Sequence, residues 1–206
     1  MYIPKAFRED DIKTLHAFMQ EYSFATLVTQ QEGMPFASHL PFLLDAGQGP
    51  YGTLLAHVAR ANPQWHALDG TQEVLVIFQG SHAYISPSWY EVELSVPTWN
   101  YAAVHAYGLP RLVEEQAALY DLLKTLIQTH EAHFEKPWPF QLPGEYLQKM
   151  MQGIVGFEIH ITRLEGKFKL SQNRTASERE KVIAALQDCP DTLSAGVAEL
   201  MRNREK

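Results

Sequence analysis

His57, Arg60 and Asn62 fall within six positions of one another in the stretch "LAHVARANPQW", where an apolar strand gives way to Pro63. The three side chains are an imidazole, a guanidinium and a carboxamide, and each can donate hydrogen bonds. At a helix start the first backbone N–H groups lack intrahelical partners and the helix dipole favours negative charge, so this corner suits an anion. The guanidinium adds a rigid multi-donor fork that matches phosphate. The competing reading makes Asn62 a plain N-cap and pairs Arg60 with a surface acid; these three residues alone do not decide. Ser38 and His39 on the preceding strand tip the balance toward a phosphate pocket, because neighbouring strands of a meander would bring them close.

A second group is aromatic. Trp89, Tyr90, Trp99 and Tyr101 stand close together in the sequence. They suit a planar aromatic ligand, although aromatic side chains fill ordinary cores just as well. Three other patterns mislead. Gly47, Gly49 and Gly52 spell G-x-G-x-x-G, but Pro50 interrupts the spacing and "YGTLLAH" continues as a strand, not the helix a dinucleotide site needs. His130 and His133 in "HEAH" lack the spacing of a zinc-protease helix and any third ligand nearby, so no metal site is expected. Asn173 begins a glycosylation sequon in form, without a secretory signal to give it meaning.

The elements that must position these residues can be read from periodicity. "REDDIKTLHAFMQEY" places Ile12, Leu15, Phe18, Met19 and Tyr22 on one helical face, with acids in its first turn. "FATLVT", "GMPFASHLPFLL" and "TLLAH" read as a three-strand antiparallel meander, with turns at Glu32-Gly33 and in "DAGQGPYG". "ANPQWHAL" predicts a short helix capped by Asn62. "EVLVIFQG" and "HAYIS" read as a strand pair broken near Gly80. In "VPTWNYAAVHAYGLPRLV", Trp99, Tyr101, Ala103, His105 and Tyr107 share one face and Asn100, Ala102, Val104 and Ala106 the other. Residues 114–134 turn helical, with Leu119, Leu122, Leu123, Leu126 and Ile127 as the buried stripe. A Pro-rich connector with a brief helix follows, then a strand "IVGFEIHITRLEGKFKL" with a turn or bulge at its EGK. Two helices separated by "DCPD" end the chain.

With 206 residues and 46% hydrophobic content the chain can bury one large core. A net charge of −7 opposes bulk electrostatic coating of nucleic acid. Cys189 is the single cysteine, which excludes an internal disulfide. No apolar run reaches the ~20 residues that span a bilayer, so the expectation is a cytoplasmic protein without a membrane partner. Many strands and few long helices predict a mainly β fold, a barrel with helices around it.

The blocks "FATLVT", "GMPFASHLPFLLD", "GTLLAHVARANPQW", "ISPSWY", "VPTWNYAAVHAYG" and "GKFKLSQNR", in this order, resemble the PaiB-type family, described as FMN-binding negative transcriptional regulators. The resemblance runs from "MYIPKAF" to "VAELM". It implies a split β-barrel of the FMN-binding, pyridoxamine phosphate oxidase-like type, with peripheral helices and a C-terminal helical pair. The implied division is a barrel domain over 1–173 and a helical appendage over 174–206. It also implies a homodimer with flavin at the subunit interface. Carried over by position, Ser38 and His39 flank the FMN phosphate, and His57, Arg60 and Asn62 hold it. Ser86, Tyr90, Thr98, Trp99 and Asn100 line the ring side, and Lys169, Gln172 and Asn173 close the pocket, from the partner chain. No catalytic base is singled out among His39, His57, His82 and His105. Alternatives from the same fold group are a haem-binding split barrel and a flavin reductase-like enzyme without DNA binding. Direct DNA binding has little support in the residues: the second C-terminal helix carries cations at its far end alone, and residues 174–206 balance six Lys/Arg against six Asp/Glu.

Overall fold

A computed structural model describes residues 1–204. In chain order it contains β1 (Arg8–Glu9), α1 (Ile12–Glu21), β2 (Phe24–Gln31), β3 (Met34–Pro41), β4 (Leu43–Asp45), β5 (Thr53–Ala59), β6 (Val74–Ile85), β7 (Thr98–Val113), α2 (Gln116–Glu131), α3 (Gly144–Gln152), β8 (Ile154–Lys169), α4 (Ala176–Asp188) and α5 (Thr192–Asn203). Short 3-10 turns lie at Pro63–Ala67 and Pro87–Tyr90. The strands pair in the order β3-β2-β6-β7-β8-β5-β4, with β1 on β8. The chain forms two compact units, and β6, β7 and β8 each contribute a part to both.

One unit comprises Met19–Phe78 and Ala106–Leu164. Glu32 and Gly33 both take positive φ, 50° and 80°, the two-residue turn whose twist suits a tight β2–β3 hairpin. The expected meander stops there. The β5 strand pairs with β4 and with β8, not with β3. A short strand before the Gly-rich loop takes up β5's edge, and Gly49 and Gly52 turn that loop with φ of 83° and 89°. On the face of β8 that carries Gly156, a Cβ would meet Leu119 Cδ1 at 2.6 Å, so α2 lies directly on this face. The β7–β8 approach is tighter still: a Cβ on Gly108 would sit 2.4 Å from His160 O and 2.7 Å from Ile159 Cγ2.

The other unit comprises Met1–Phe18, Gln79–His105 and the chain from Glu165 onward. The predicted first helix is shorter than its pattern. Arg8 and Glu9 pair with Lys167 and Gly166 as a strand, and Asp11 caps α1 by accepting from the Thr14 N–H at 2.8 Å. Leu15 and Phe18 are buried as expected, while Ile12 is exposed. The α4 helix starts with a capping box between Thr175 and Glu178. The α5 helix buries Val197, Ala198 and Met201, and Gly196 lies so close to β6 that a Cβ would meet Ser81 Oγ at 2.1 Å. Arg204 pairs with Glu9 at 2.9 Å. The C-terminal helices thus share a core with strand halves of this unit.

Alternation along β7 follows the sequence pattern: Asn100, Ala102, Val104 and Ala106 are all buried. The expected break at Gly80 does not occur, since β6 runs unbroken from Val74 to Ile85. Its buried positions change parity instead, from Val74, Val76 and Phe78 to Ala83 and Ile85. The β8 strand does the same, from Val155, Phe157, Ile159 and Ile161 to Phe168. A local irregularity that shifts the period by one residue turns every later side chain to the opposite face. In β8 the change falls between Ile161 and Gly166, and the strand runs unbroken through the EGK where the sequence suggested a turn or bulge.

Candidate functional site

The corner after β5 is built from local rules. Asn62 caps the 63–67 turn, its Oδ1 accepting the Gln64 N–H at 3.0 Å. Its Nδ2 donates to Ser38 Oγ at 2.9 Å. Ser38 and Asn62 are therefore together, although by a side-chain bond and not through a meander. His39 points the other way. Its cross-strand partner is Thr26, and Thr26 Oγ1 lies 3.0 Å from His39 Nδ1 on the exposed face of the hairpin. Adjacent strand residues alternate, so Ser38 and His39 serve opposite faces.

Arg60 is anchored. Its Nε donates to Gln152 O at 2.8 Å and one Nη to Ile154 O at 3.0 Å, while its backbone N–H donates to Gly153 O at 2.8 Å. The guanidinium's side-on edge thus caps the C-terminal end of α3, where carbonyls lack intrahelical donors and a cation is favoured. Its end-on N–H groups remain. Arg60 lines an open cleft of about 430 Å³ with Trp65, Leu119, Met151 and Val155. The hydroxyl hydrogen of Ser38 and the second N–H of Asn62 are further donors of this corner, although neither residue lines the Arg60 cleft.

His57 pairs with Gly156 across β5–β8 and so faces α2, away from the Ser38–Asn62 pair. Its Nδ1 is buried without a hydrogen-bond partner among the described residues. Burial holds its pKa below the ordinary 6.5. The unfolded chain therefore takes up this proton first as pH falls. The stabilising contribution of the neutral ring is complete above about pH 6.5 and is lost as pH falls through the depressed folded-state value. Urea titrations at two pH values spanning that window should show a smaller acid loss in His57→Gln than in the parent. Identical losses would clear His57 of any part in it.

The other unit holds the aromatic group. Trp99 is 53% exposed and Tyr84 48%. Their rings meet edge-on with centroids 6.0 Å apart, and His82 lies 6.2 Å from Trp99. Lys169 donates to Thr98 Oγ1 and, at 2.6 Å, to Trp99 O. Burial and then neighbouring Lys167 lower its pKa. Lys167 itself stands 5.3 Å over the Tyr101 ring. Other predicted residues sit inside. Tyr90 is 1% exposed beneath the Arg174 guanidinium, 4.1 Å from its ring centre. Asn100 is 0% exposed and donates to Ser171 Oγ at 2.9 Å. Ser86 caps the 87–90 turn, Gln172 accepts the Leu170 N–H at 2.7 Å, and Asn173 is exposed. Ser171, with φ of 61°, is the strained centre of this cluster and was not singled out by its sequence context. Gln64 was missed as well; a polar residue one step past a helix-start proline carries no signal of burial.

A larger cleft of about 890 Å³ lies between α2 and the β4–β5 edge. Glu21, Asp45, Asp121 and Glu158 line it, with His130 and His133 and no Lys or Arg among the described lining residues. Its charge repels phosphate. The described residues contain no group of three metal-binding side chains, and no described helix is long and apolar enough to cross a membrane.

A family model described as "Putative FMN-binding domain" matches residues 1–163. Over its whole length the chain is 40% identical to the protease synthase and sporulation protein PAI 2 of Bacillus subtilis, covering 99% of that protein. Among solved structures, the FAD and haem binding protein of Mycobacterium smegmatis superimposes with a TM-score of 0.61 at 15% identity, over 86% of this chain and 79% of that one. The flavocytochrome Anf3 of Azotobacter vinelandii gives 0.59 at 17% identity, over 85% and 73%. At such identities the likeness is one of fold: the split β-barrel type, mainly β with peripheral helices.

Proposed function

Because this chain belongs to the family described as "Putative FMN-binding domain", we propose that it binds FMN, with the phosphate on Arg60, Asn62 and Ser38 at the corner after β5. The observation that carries this reading is the donor set after β5. Asn62 is oriented by its cap so that its nitrogen meets Ser38, and Arg60 is held by Gln152 O and Ile154 O with its end-on fork unspent. A doubly charged phosphate needs donors without acceptors, while a flat apolar ring needs stacking surface. When bound, FMN would supply hydride and electron transfer; the protein's part is to orient it and control access.

The same reading includes a homodimer. Phe24 and Met34 on the β2–β3 hairpin are each 69% exposed, and Leu94 and Val96 in the loop before β7 are 90% and 70% exposed. Apolar side chains left bare in this number favour a covering subunit. A regulatory role is supported by the Bacillus relative, a protease synthase and sporulation protein. For direct DNA contact the outward side of α5 offers Glu199 beside Arg202, which is not a basic stripe.

Titration of the purified protein with FMN, riboflavin and haemin, followed by absorbance and flavin fluorescence, tests the proposal. FMN should bind more tightly than riboflavin, and haemin should give no Soret shift. Equal affinity for the two flavins would remove the phosphate site, and a haemin shift with no flavin uptake would favour the haem reading, for which His82, with its buried unpartnered Nδ1, is the group to substitute.

A further inference from the structure

Gln64 is fully buried at 0% exposure, and a carboxamide taken out of water must find hydrogen bonds or lose stability. Its Nε2 lies 3.2 Å from Leu27 O, 3.1 Å from Thr29 Oγ1 and 3.2 Å from Phe36 O. Two of these partners are carbonyls, which only accept, so nitrogen must face them; the flipped amide would set oxygen against oxygen. That choice directs Oε1 to the opposite side, where no donor among the described residues meets it.

The bonds of Gln64 land on two rungs of the β2–β3 hairpin. Leu27 pairs with Ser38, and Thr29 pairs with Phe36. The Gln64 backbone N–H meanwhile donates to Asn62 Oδ1, and Asn62 Nδ2 donates to Ser38 Oγ. A closed ring results, from Ser38 through Asn62 and Gln64 to Leu27 and back across the rung. Its polarity has a direction. With Asn62 oxygen committed to Gln64, its nitrogen faces Ser38; Ser38 oxygen then accepts, and its own hydroxyl hydrogen is left to donate outward. If the ring opens at the Gln64 side chain, the 63–67 turn is no longer held to β2 and β3, and Asn62, still capping that turn, can move off Ser38 with it.

We propose that Gln64 is the positioning residue of this corner: it holds the 63–67 turn against β2 and β3 so that Asn62 and Ser38 present donors, and so sets the preference for phosphorylated over unphosphorylated flavin. The proposal rests on the FMN reading above and deepens it. Gln64 touches no phosphate; it acts through Asn62.

Gln64→Met keeps the length of the side chain and removes the amide. Two readouts are taken on the full chain: flavin fluorescence titrations with FMN and riboflavin, and the side-chain amide resonances of the 15N-labelled, ligand-free protein. The FMN Kd should rise about tenfold, the value of roughly one lost hydrogen bond, with riboflavin changing much less. The Asn62 amide should move toward its free position. A ratio of the two affinities equal to the parent's, or an Asn62 resonance that stays in place, overturns the proposal. A variant that merely loosens the fold would weaken both flavins alike, which also counts against it. Should Gln64→Met fail to fold, Thr29→Val removes a single partner and carries the same test: the ratio should fall by about threefold, and an unchanged ratio refutes the role. Parent protein that binds neither flavin refutes the FMN reading itself, whereas the ligand-free Asn62 resonance judges Gln64 separately.

Discussion

Arg60→Ala is expected to weaken FMN binding by about 10- to 150-fold, the equivalent of ~1.5–3 kcal/mol for a charge-assisted hydrogen bond, and to leave riboflavin binding nearly unchanged. The selectivity follows from chemistry, since the two ligands differ by the phosphate. The structure adds a second consequence. Arg60 also serves Gln152 O and Ile154 O at the end of α3, so its removal should loosen that helix end. Because Arg60 is itself exposed, water can replace those two bonds, and the stability loss should be small beside the loss of affinity. Arg60→Lys separates the two roles: an ammonium keeps the charge but cannot fill both carbonyls and the end-on fork from one planar group. Flavin titrations alongside thermal melts for both variants check this. Equal loss for FMN and riboflavin would show that Arg60 supports the site only through α3.

Gly108→Ala should be the most destabilising single-methyl change in the strand region, at about 3 kcal/mol, with a fall in Tm of roughly 6–12 °C for a chain of this size. The added Cβ would lie 2.4 Å from His160 O and 2.9 Å from its carbonyl carbon. Backbone held in a β ladder cannot swing aside as a side-chain end can. Gly156→Ala is the internal comparison. There the nearest atom is Leu119 Cδ1 at 2.6 Å, the tip of a side chain with other rotamers to adopt, so the loss should be clearly smaller. Parallel melts decide it, and similar Tm values for the two variants would contradict the contrast drawn between backbone and side-chain obstacles.

Much of this was legible from local rules. The Asn62 cap, the Glu32-Gly33 turn and the buried parity of Asn100 to Ala106 need no knowledge of distant residues. What escaped was non-local. Arg60 finds its partners more than ninety positions away at 152–154, and the sequence around either end does not name the other. Arg8 and Glu9 looked like the start of a helix because acids suit a first turn; pairing with β8 outweighed that preference. The meander failed because β5 finds β8, from the far side of the chain, as its second neighbour. Tyr90 and Asn100 illustrate a different limit. Residue type marks both as able to bind a ligand, yet burial against Arg174 and Ser171 spends them on holding the 170–174 turn.

The C-terminal helices deserve to be thought of as a roof and not as a handle. Met201 Sδ rests 3.5 Å from the Asn100 amide nitrogen, Gly196 is fitted to Ser81, and Arg204 reaches Glu9. Cutting the chain after Asn173 to ask whether those helices carry a signal would therefore strip the weatherproofing from Asn100 and Ser81, and the shortened protein would report aggregation before it reported any lost partner. Surface charge reversals at Glu199 and Arg202, which leave the roof in place, are the cleaner way to ask.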